Sequence, residues 1–206
     1  MWYPILITAL VGYLLGNLNG AVLISALQHD DVRSHGSGNA GLTNFVRNFG
    51  AVRGIFVVLI DGGKATLACL TGALLLKDYG SYEMGATIGG LAVMLGHDFP
   101  ILLGFKGGKG ILSALFIGLS VDWRIGVIGL AVFAIVYVLS GYVSLGSICG
   151  ATTYAVCFVA FYYDQLVVMI CGVIMSGLAV FMHHGNISRL LKGTERKTNL
   201  FAKKKA

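Results

Sequence analysis

Gln165-Leu-Val-Val-Met-Ile-Cys-Gly-Val-Ile-Met-Ser-Gly-Leu-Ala-Val-Phe-Met182 is a run of eighteen residues without a single charge. Crossing the hydrocarbon core of a bilayer takes about 20 mostly apolar residues as a helix. Apolar runs of the same character occur at 2–27, 53–76, 84–96, 111–121, 125–140 and 143–161. The whole chain shares this bias: of 206 residues, 56% are hydrophobic and only 12% charged. Soluble domains carry about twice that charge. A soluble globule and a disordered chain are both excluded, because so few solvated groups can neither cover a surface nor resist collapse. The fold class expected is an all-α integral membrane protein, a single domain over residues 1–206.

Seven transmembrane helices account for the seven runs, with five as the alternative, since 84–96 and 111–121 are short. Both counts are odd and put the termini on opposite sides. With the N-terminus outside and the C-terminus cytoplasmic, twelve of the fifteen Lys and Arg residues fall in inner segments, as positive-inside topology requires. Gly12, Gly16 and Gly20 recur at every fourth residue, as do Gly85 and Gly89, and Gly146 and Gly150. Such ridges let helix backbones approach closely inside lipid. The four cysteines (Cys69, Cys149, Cys157, Cys171) lie inside apolar runs without CxxC spacing, so they read as buried small hydrophobes.

Three inner segments, 36–50, 97–110 and 183–195, are too polar and too patterned to be plain connections. Glycines let successive backbone N–H groups converge on an anion, while Ser, Thr, Asn, Arg and Lys add donors. Gly36, Ser37, Gly38 and Asn39, with Thr43, Asn44 and Arg47, can wrap one phosphate. Gly107, Gly108 and Lys109 with Lys106 can supply a second. A P-loop is excluded: Leu103 stands where its first glycine belongs, and Gly110 replaces the Ser/Thr. Juxtamembrane contact with anionic headgroups explains the tail Lys203–Lys205, but not the uncharged Ser37, Asn39, Thr43 and Asn44. Asp61 and Lys64 sit within a span, where ionisable residues are either functional or a mutual i,i+3 pair supporting packing.

Taken together these residues resemble the acyl-phosphate-dependent glycerol-3-phosphate acyltransferases of bacteria, the PlsY family. Gly-Ser-Gly-Asn-Ala-Gly-Leu-Thr-Asn-Phe-Val-Arg at 36–47 is similar to the family's first motif. Asp61 to Lys64 is similar to its D-x-x-K, and Gly96-His97 through Gly110 to its G-H-x-F-P-x-x-x-x-F-K-G-G-K-G. The last motif is matched by His183, Asn186, Ile187, Arg189 and Leu190, then Gly193-Thr194-Glu195. The resemblance implies transfer of a fatty acyl group from acyl phosphate to the 1-hydroxyl of glycerol 3-phosphate, at the cytoplasmic face of a bacterial inner membrane. It carries essential roles onto Ser37, Asn39, Thr43, Asn44, Arg47, Lys106, Lys109, Ser144, His183, Asn186 and Glu195. One departure is His184, where the family usually has a basic residue.

On this reading His183, or a phosphate oxygen of a substrate, takes the hydroxyl proton. Arg47 and Lys106 clamp glycerol 3-phosphate, and the glycine nest with Ser37 and Thr43 holds the acyl phosphate. Ser37 as a covalent nucleophile is the lesser alternative, because no base is adjacent in sequence. None of the five histidines has Asp five positions on, so the H-x-x-x-x-D acyltransferase motif is absent. The partners expected are the two substrates and the bilayer. No metal, cofactor, nucleic acid or obligatory protein partner is called for. A small transporter of a phosphorylated solute is the rival class.

Overall fold

The computed structural model describes residues 2–198, whose regular structure is helical, with no strand among them. The lysine tail at 203–205 lies outside the described residues. The chain opens with α1 (Trp2–Gly16), breaks, and resumes as α2 (Gly20–Ala26). A looped segment holding a single 3-10 turn at Val32–Ser34 leads to α3 (Leu42–Phe49) and the long α4 (Ala51–Leu76). α5 (Tyr82–Asp98) is followed by a glycine-rich loop and the short α6 (Ile111–Val121). α7 (Trp123–Ser140), α8 (Val143–Tyr162), α9 (Leu166–Met182) and α10 (His184–Leu191) complete the order.

Five helical stretches among the described residues are long and apolar enough to cross a bilayer, and the pair α9–α10, bent by 53°, would make a sixth. α6 coincides with the short run expected at 111–121. Its 11 residues rise about 16 Å, roughly half the hydrocarbon thickness. It lies antiparallel along α5: Tyr82 Oη donates to Ser120 O at 3.2 Å, and Gly110 abuts Met94 at the other end. The missing length is taken up by the loop 99–110, which returns into the bundle before α6 starts.

Glycine and alanine set the packing distances. Gly72 of α4 and Gly85 of α5 face each other so closely that a Cβ on either would run into the other's backbone, and Gly89 meets Ala68 in the same way. Gly12 and Gly16 of α1 abut Ala92, Val93 and Gly96 of α5. On α8, Gly146 and Gly150 press on the Phe133 and Gly129 backbone of α7. Lipid tails are as apolar as leucine, so association inside the bilayer depends on this close van der Waals fit rather than on hydrophobic exclusion. Phe158, Met94 and Ile117, with Cys69 and Cys157, fill the remaining core.

The break between α1 and α2 is stabilised from α4. Asp61 and Lys64, 1% and 5% exposed, form an ion pair at 2.9 Å. Lys64 Nζ donates to the orphaned carbonyls of Gly16 at 3.1 Å and Leu18 at 2.5 Å. Asp61 Oδ1 accepts from Gly20 N at 3.0 Å, and Asn19 caps α2 by accepting from Val22 N. Backbone polar groups freed inside a membrane must find partners within the protein, and this pair supplies them.

Gly72→Ala should lower the thermal unfolding midpoint in detergent, by the equivalent of about 1–3 kcal/mol for an overpacked contact. Gly63→Ala, where an added Cβ meets nothing within 4 Å, should leave the midpoint in place.

Candidate active site

The three polar segments converge at one end of the bundle around a cavity of about 580 Å³, within the range of small-molecule sites. Its polar limb is lined by Gly36, Ser37, Asn39, Thr43, Asn44 and Arg47 from the first segment, Lys109 from the second, and His183, Asn186, Arg189 and Glu195 from the last, with Ser144 from α8. Its apolar limb runs on between α6, α7 and α8, past Ile111, Leu112, Leu115, Leu130, Phe133 and Tyr154. A polar mouth joined to an apolar slot suits an amphipathic ligand.

Asn44 organises the first loop. Buried at the start of α3, its Nδ2 donates to Val32 O, His35 O and Asn39 O at 3.0–3.1 Å. Its Oδ1 accepts from Ser37 N at 3.1 Å. A side chain expected to ligate phosphate is thus spent on shaping the loop. Gly36 takes φ +60°, and any Cβ there would strike Asn44 Oδ1. Ser37 and Thr43 are left exposed on the resulting rim. Arg47 Nη2 donates to Thr198 Oγ1 at 2.7 Å, and Thr198 N donates to Gly141 O at 2.8 Å. The segment after α10 is thereby strapped across the cavity.

A second network centres on Glu195. Its Oε1 accepts from Ser144 Oγ at 2.8 Å and Asn186 Nδ2 at 2.6 Å, and its Oε2 from Arg189 Nε at 2.6 Å. Lys109 Nζ donates to Asn186 Oδ1. Partial burial pushes the Glu195 carboxyl up, but the hydrogen bonds from Asn186, Ser144 and Arg189 outweigh it and hold its pKa below the ordinary value. Glu195 therefore stays anionic and fixes the donors around it. Lys109 is lowered to about 8, chiefly by burial and further by Arg189, with Glu195 opposing.

His183 is buried at the joint between α9 and α10. Its Nδ1 lies 2.7 Å from Ala179 O. A carbonyl only accepts, so Nδ1 carries the proton and the neutral ring keeps its lone pair on Nε2.

Four expected site residues lie off the cavity wall: Gly38, Lys106, Gly107 and Gly108. Lys106 is exposed. Gly107 and Gly108 pack against His97 and Pro100, where no side chain fits, so they shape the loop. His184 points outward, with Nδ1 3.0 Å from Phe181 O, so the departure at that position falls outside the cavity. Among the wall residues not expected as ligands are Asp61, His97, Arg189 and Arg196. His97 carried a signal, standing inside the glycine motif at the end of an apolar run.

A family model for glycerol-3-phosphate acyltransferase matches residues 6–193. The chain belongs to the glycerol-3-phosphate acyltransferase family. It is 40% identical to the glycerol-3-phosphate acyltransferase of Thermoanaerobacter sp. (strain X514), over 93% of this chain and 94% of that one. The Paraburkholderia phytofirmans enzyme of the same name is 37% identical over 98% and 93%. Among solved structures it is similar to PlsY, an integral membrane glycerol 3-phosphate acyltransferase, in its glycerol 3-phosphate form. The TM-score is 0.85 at 32% identity, covering 96% of this chain and 99% of that one. The lysophosphatidic acid form gives 0.83 at the same identity. The chain is thus a membrane acyltransferase, and the transporter reading is set aside.

Lys109 gives the cavity wall a charge that depends on pH. A lysine lowered to about 8 is an ammonium below that pH and an amine above it. Attraction for an anion is therefore present below about 8 and lost as pH rises through it. The kcat/KM should fall above that pH in the wild type, while Lys109→Arg, always charged, should flatten the fall. Phosphate monoesters complete their own titration near pH 6 and do not contribute there.

Proposed function

We propose that the enzyme transfers a fatty acyl group from acyl phosphate to the sn-1 hydroxyl of glycerol 3-phosphate, releasing lysophosphatidic acid and inorganic phosphate. The observation that carries this reading is the shape of the cavity, whose polar limb bears Ser37, Thr43, Arg47, Lys109 and Arg189 and whose slot is apolar. The phosphates lie in the first limb and the acyl chain in the second, which places the scissile carbonyl at their junction.

Ester formation requires that the hydroxyl lose a proton and that the tetrahedral oxyanion be stabilised. His183 Nε2, or a substrate phosphate oxygen, takes the proton. The hydroxyl oxygen bonds to the acyl carbon, the acyl–phosphate C–O bond breaks, and phosphate leaves with the electron pair. Lys109, held by Asn186, and the glycine-lined first loop with Ser37 and Thr43 face the developing negative charge. Arg47 and Arg189 flank the acceptor's phosphate, and Lys106, off the cavity wall, takes no part. Ser37 serves as a binding group in this scheme, and transfer is direct.

The same reading places the site on the cytoplasmic side of a bacterial inner membrane, in one domain crossing the bilayer seven times with the N-terminus outside. Several contacts support it. Tyr3 Oη lies 3.1 Å from Tyr79 Oη, Ser81 Oγ donates to Gln165 Oε1 at 2.8 Å, and Tyr162 Oη donates to Asp122 Oδ2 at 3.2 Å. These join the turns at the end of the bundle opposite the cavity. The cavity end holds most of the basic residues. α6, though short, reaches the far end beside Tyr82.

Purified enzyme should form lysophosphatidic acid and phosphate in equal amounts, and release no phosphate when glycerol 3-phosphate is omitted. His183→Ala should reduce kcat by about 10²–10⁴-fold if it is the base, and near-normal turnover would give that role to substrate phosphate. A trapped acyl-Ser37 adduct would overturn direct transfer. A membrane-impermeant thiol reagent on intact cells should label Lys77→Cys and spare Thr194→Cys, and the reverse pattern would invert the topology.

A further inference from the structure

His97 lies on the cavity wall, 4% exposed, at the end of α5. Its Nδ1 is 2.8 Å from Lys64 Nζ. The same ammonium reaches Gly16 O, Leu18 O and Asp61 Oδ1, so four acceptors share its three protons. An ammonium has protons to give and no lone pair to receive one. A proton on Nδ1 would point at that cation, and Asp61 Oδ1, at 3.8 Å, is too far to accept it. Nδ1 is therefore the acceptor, and the neutral ring carries its proton on Nε2.

That Nε2–H has no acceptor among the described residues. Its edge of the ring lies against the Cα of Gly108, where any Cβ would collide with Nε2. Ala40 O is also close to Gly108, but its side-chain partner is Asn19 Nδ2 at 3.0 Å, and it makes no hydrogen bond with the ring. The His97 carbonyl meanwhile accepts from Gly108 N at 3.1 Å, which fixes loop and ring to each other. The imidazole edge thus stands where the first and second loops meet, and Asn39 and Lys109 of those loops line the same cavity.

We propose that His97 is a catalytic residue: a neutral imidazole that donates its Nε2–H to a phosphoryl oxygen bound in the cavity, with Lys64 and Asp61 as the positioning residues that fix its tautomer. The inference rests on the acyl-transfer reading above and adds a donor to that site. A neutral donor suits the place. It binds an anion without carrying a proton away, and it adds no second cation next to Lys64. It is also the mirror of His183, whose proton is held on Nδ1 and whose Nε2 accepts.

Two variants separate donation from packing. His97→Asn keeps an oxygen for Lys64 where Nδ1 stood, but its amide is too short to replace Nε2. His97→Gln restores a donor at that reach. His97→Asn should raise the KM for one substrate by about ten- to a hundredfold, the range of a lost hydrogen bond to a charged group, with its thermal midpoint retained. The glutamine variant should recover part of the loss. An effect confined to glycerol 3-phosphate assigns the donor to the acceptor's phosphate, and one confined to acyl phosphate assigns it to the donor's. If His97→Asn lowers only the midpoint and leaves both KM values and kcat within about twofold, the residue is structural and the proposal fails. ¹⁵N-histidine spectra of the full chain in detergent, with His97→Asn for assignment, supply a readout independent of turnover. They should show a neutral Nε2–H ring whose Nε2 signal moves when inorganic phosphate is added. An Nδ1–H tautomer, or an Nε2 signal unmoved by saturating phosphate, would overturn the proposal even if the enzyme makes lysophosphatidic acid. A moving signal in a protein that makes none would sink the acyl-transfer reading instead.

Discussion

The buried ion pair between Asp61 and Lys64 is the constraint on which the rest of the molecule depends. Two charges removed from water are costly to bury, and their mutual attraction alone often fails to offset the loss. Here the pair has further partners. Lys64 takes the carbonyls left open at the end of α1, and Asp61 takes the N–H that opens α2. A helix can therefore break inside the membrane without stranding its backbone. The break in turn releases Asn19 to hold Ala40 and Asn17 to accept from Leu102 N at 3.0 Å. Both glycine loops are anchored to the same interruption. Replacing the pair by apolar residues would remove a desolvation cost and leave those backbone groups without partners.

The glycine ridges act at a different scale. Because Gly72, Gly85 and Gly89 bring α4 and α5 into backbone contact, the Asp61–Lys64 pair on α4 lies within reach of His97 on α5. Larger residues there would move the helices apart by more than the tolerance of a hydrogen bond. Close packing that gives adhesion in lipid is also what allows a lysine on one helix to orient a histidine on the next. α7 and α8 use the same device, with Gly129 and Gly150, and in doing so leave the apolar slot between themselves and the short α6.

Much of this could be read from the chain. The seven apolar runs all became helices, because the bilayer demands internally satisfied backbone. The three polar segments did gather at one end. Residue types in motifs located the cavity, but not the task of each side chain. Asn44 looked like a phosphate ligand because its chemistry allows it. Its amide is used up by Val32, His35 and Asn39, a fact of loop geometry that spacing does not contain. Lys106 and Lys109 are indistinguishable in a glycine-rich string, yet the left-handed Gly104 and Phe105 turn one to solvent and the other toward Asn186. The length of α6 was ambiguous because the loop before it is apolar enough to continue a span and folds back instead. Glu195 was expected to touch substrate, and its hydrogen bonds show it holding the donors.

The two buried histidines show what the fold adds to composition. Both are single imidazoles in an apolar setting, with equal prior claim to be acid, base or filler. What distinguishes them is the group placed behind each ring. A helical carbonyl behind His183 keeps the proton at its back and leaves an accepting nitrogen for the cavity. An ammonium behind His97 does the opposite. Acyl transfer between two phosphorylated substrates needs both characters at once, one centre to relieve a hydroxyl of its proton and others to hold negative charge without taking a proton from it. An imidazole free to exchange tautomers would fill either role only part of the time. In the proposed mechanism, fixing each ring from behind gives the site its two functions from one residue type, and it gives the lysine and aspartate in the middle of a membrane helix a second task beside holding the break.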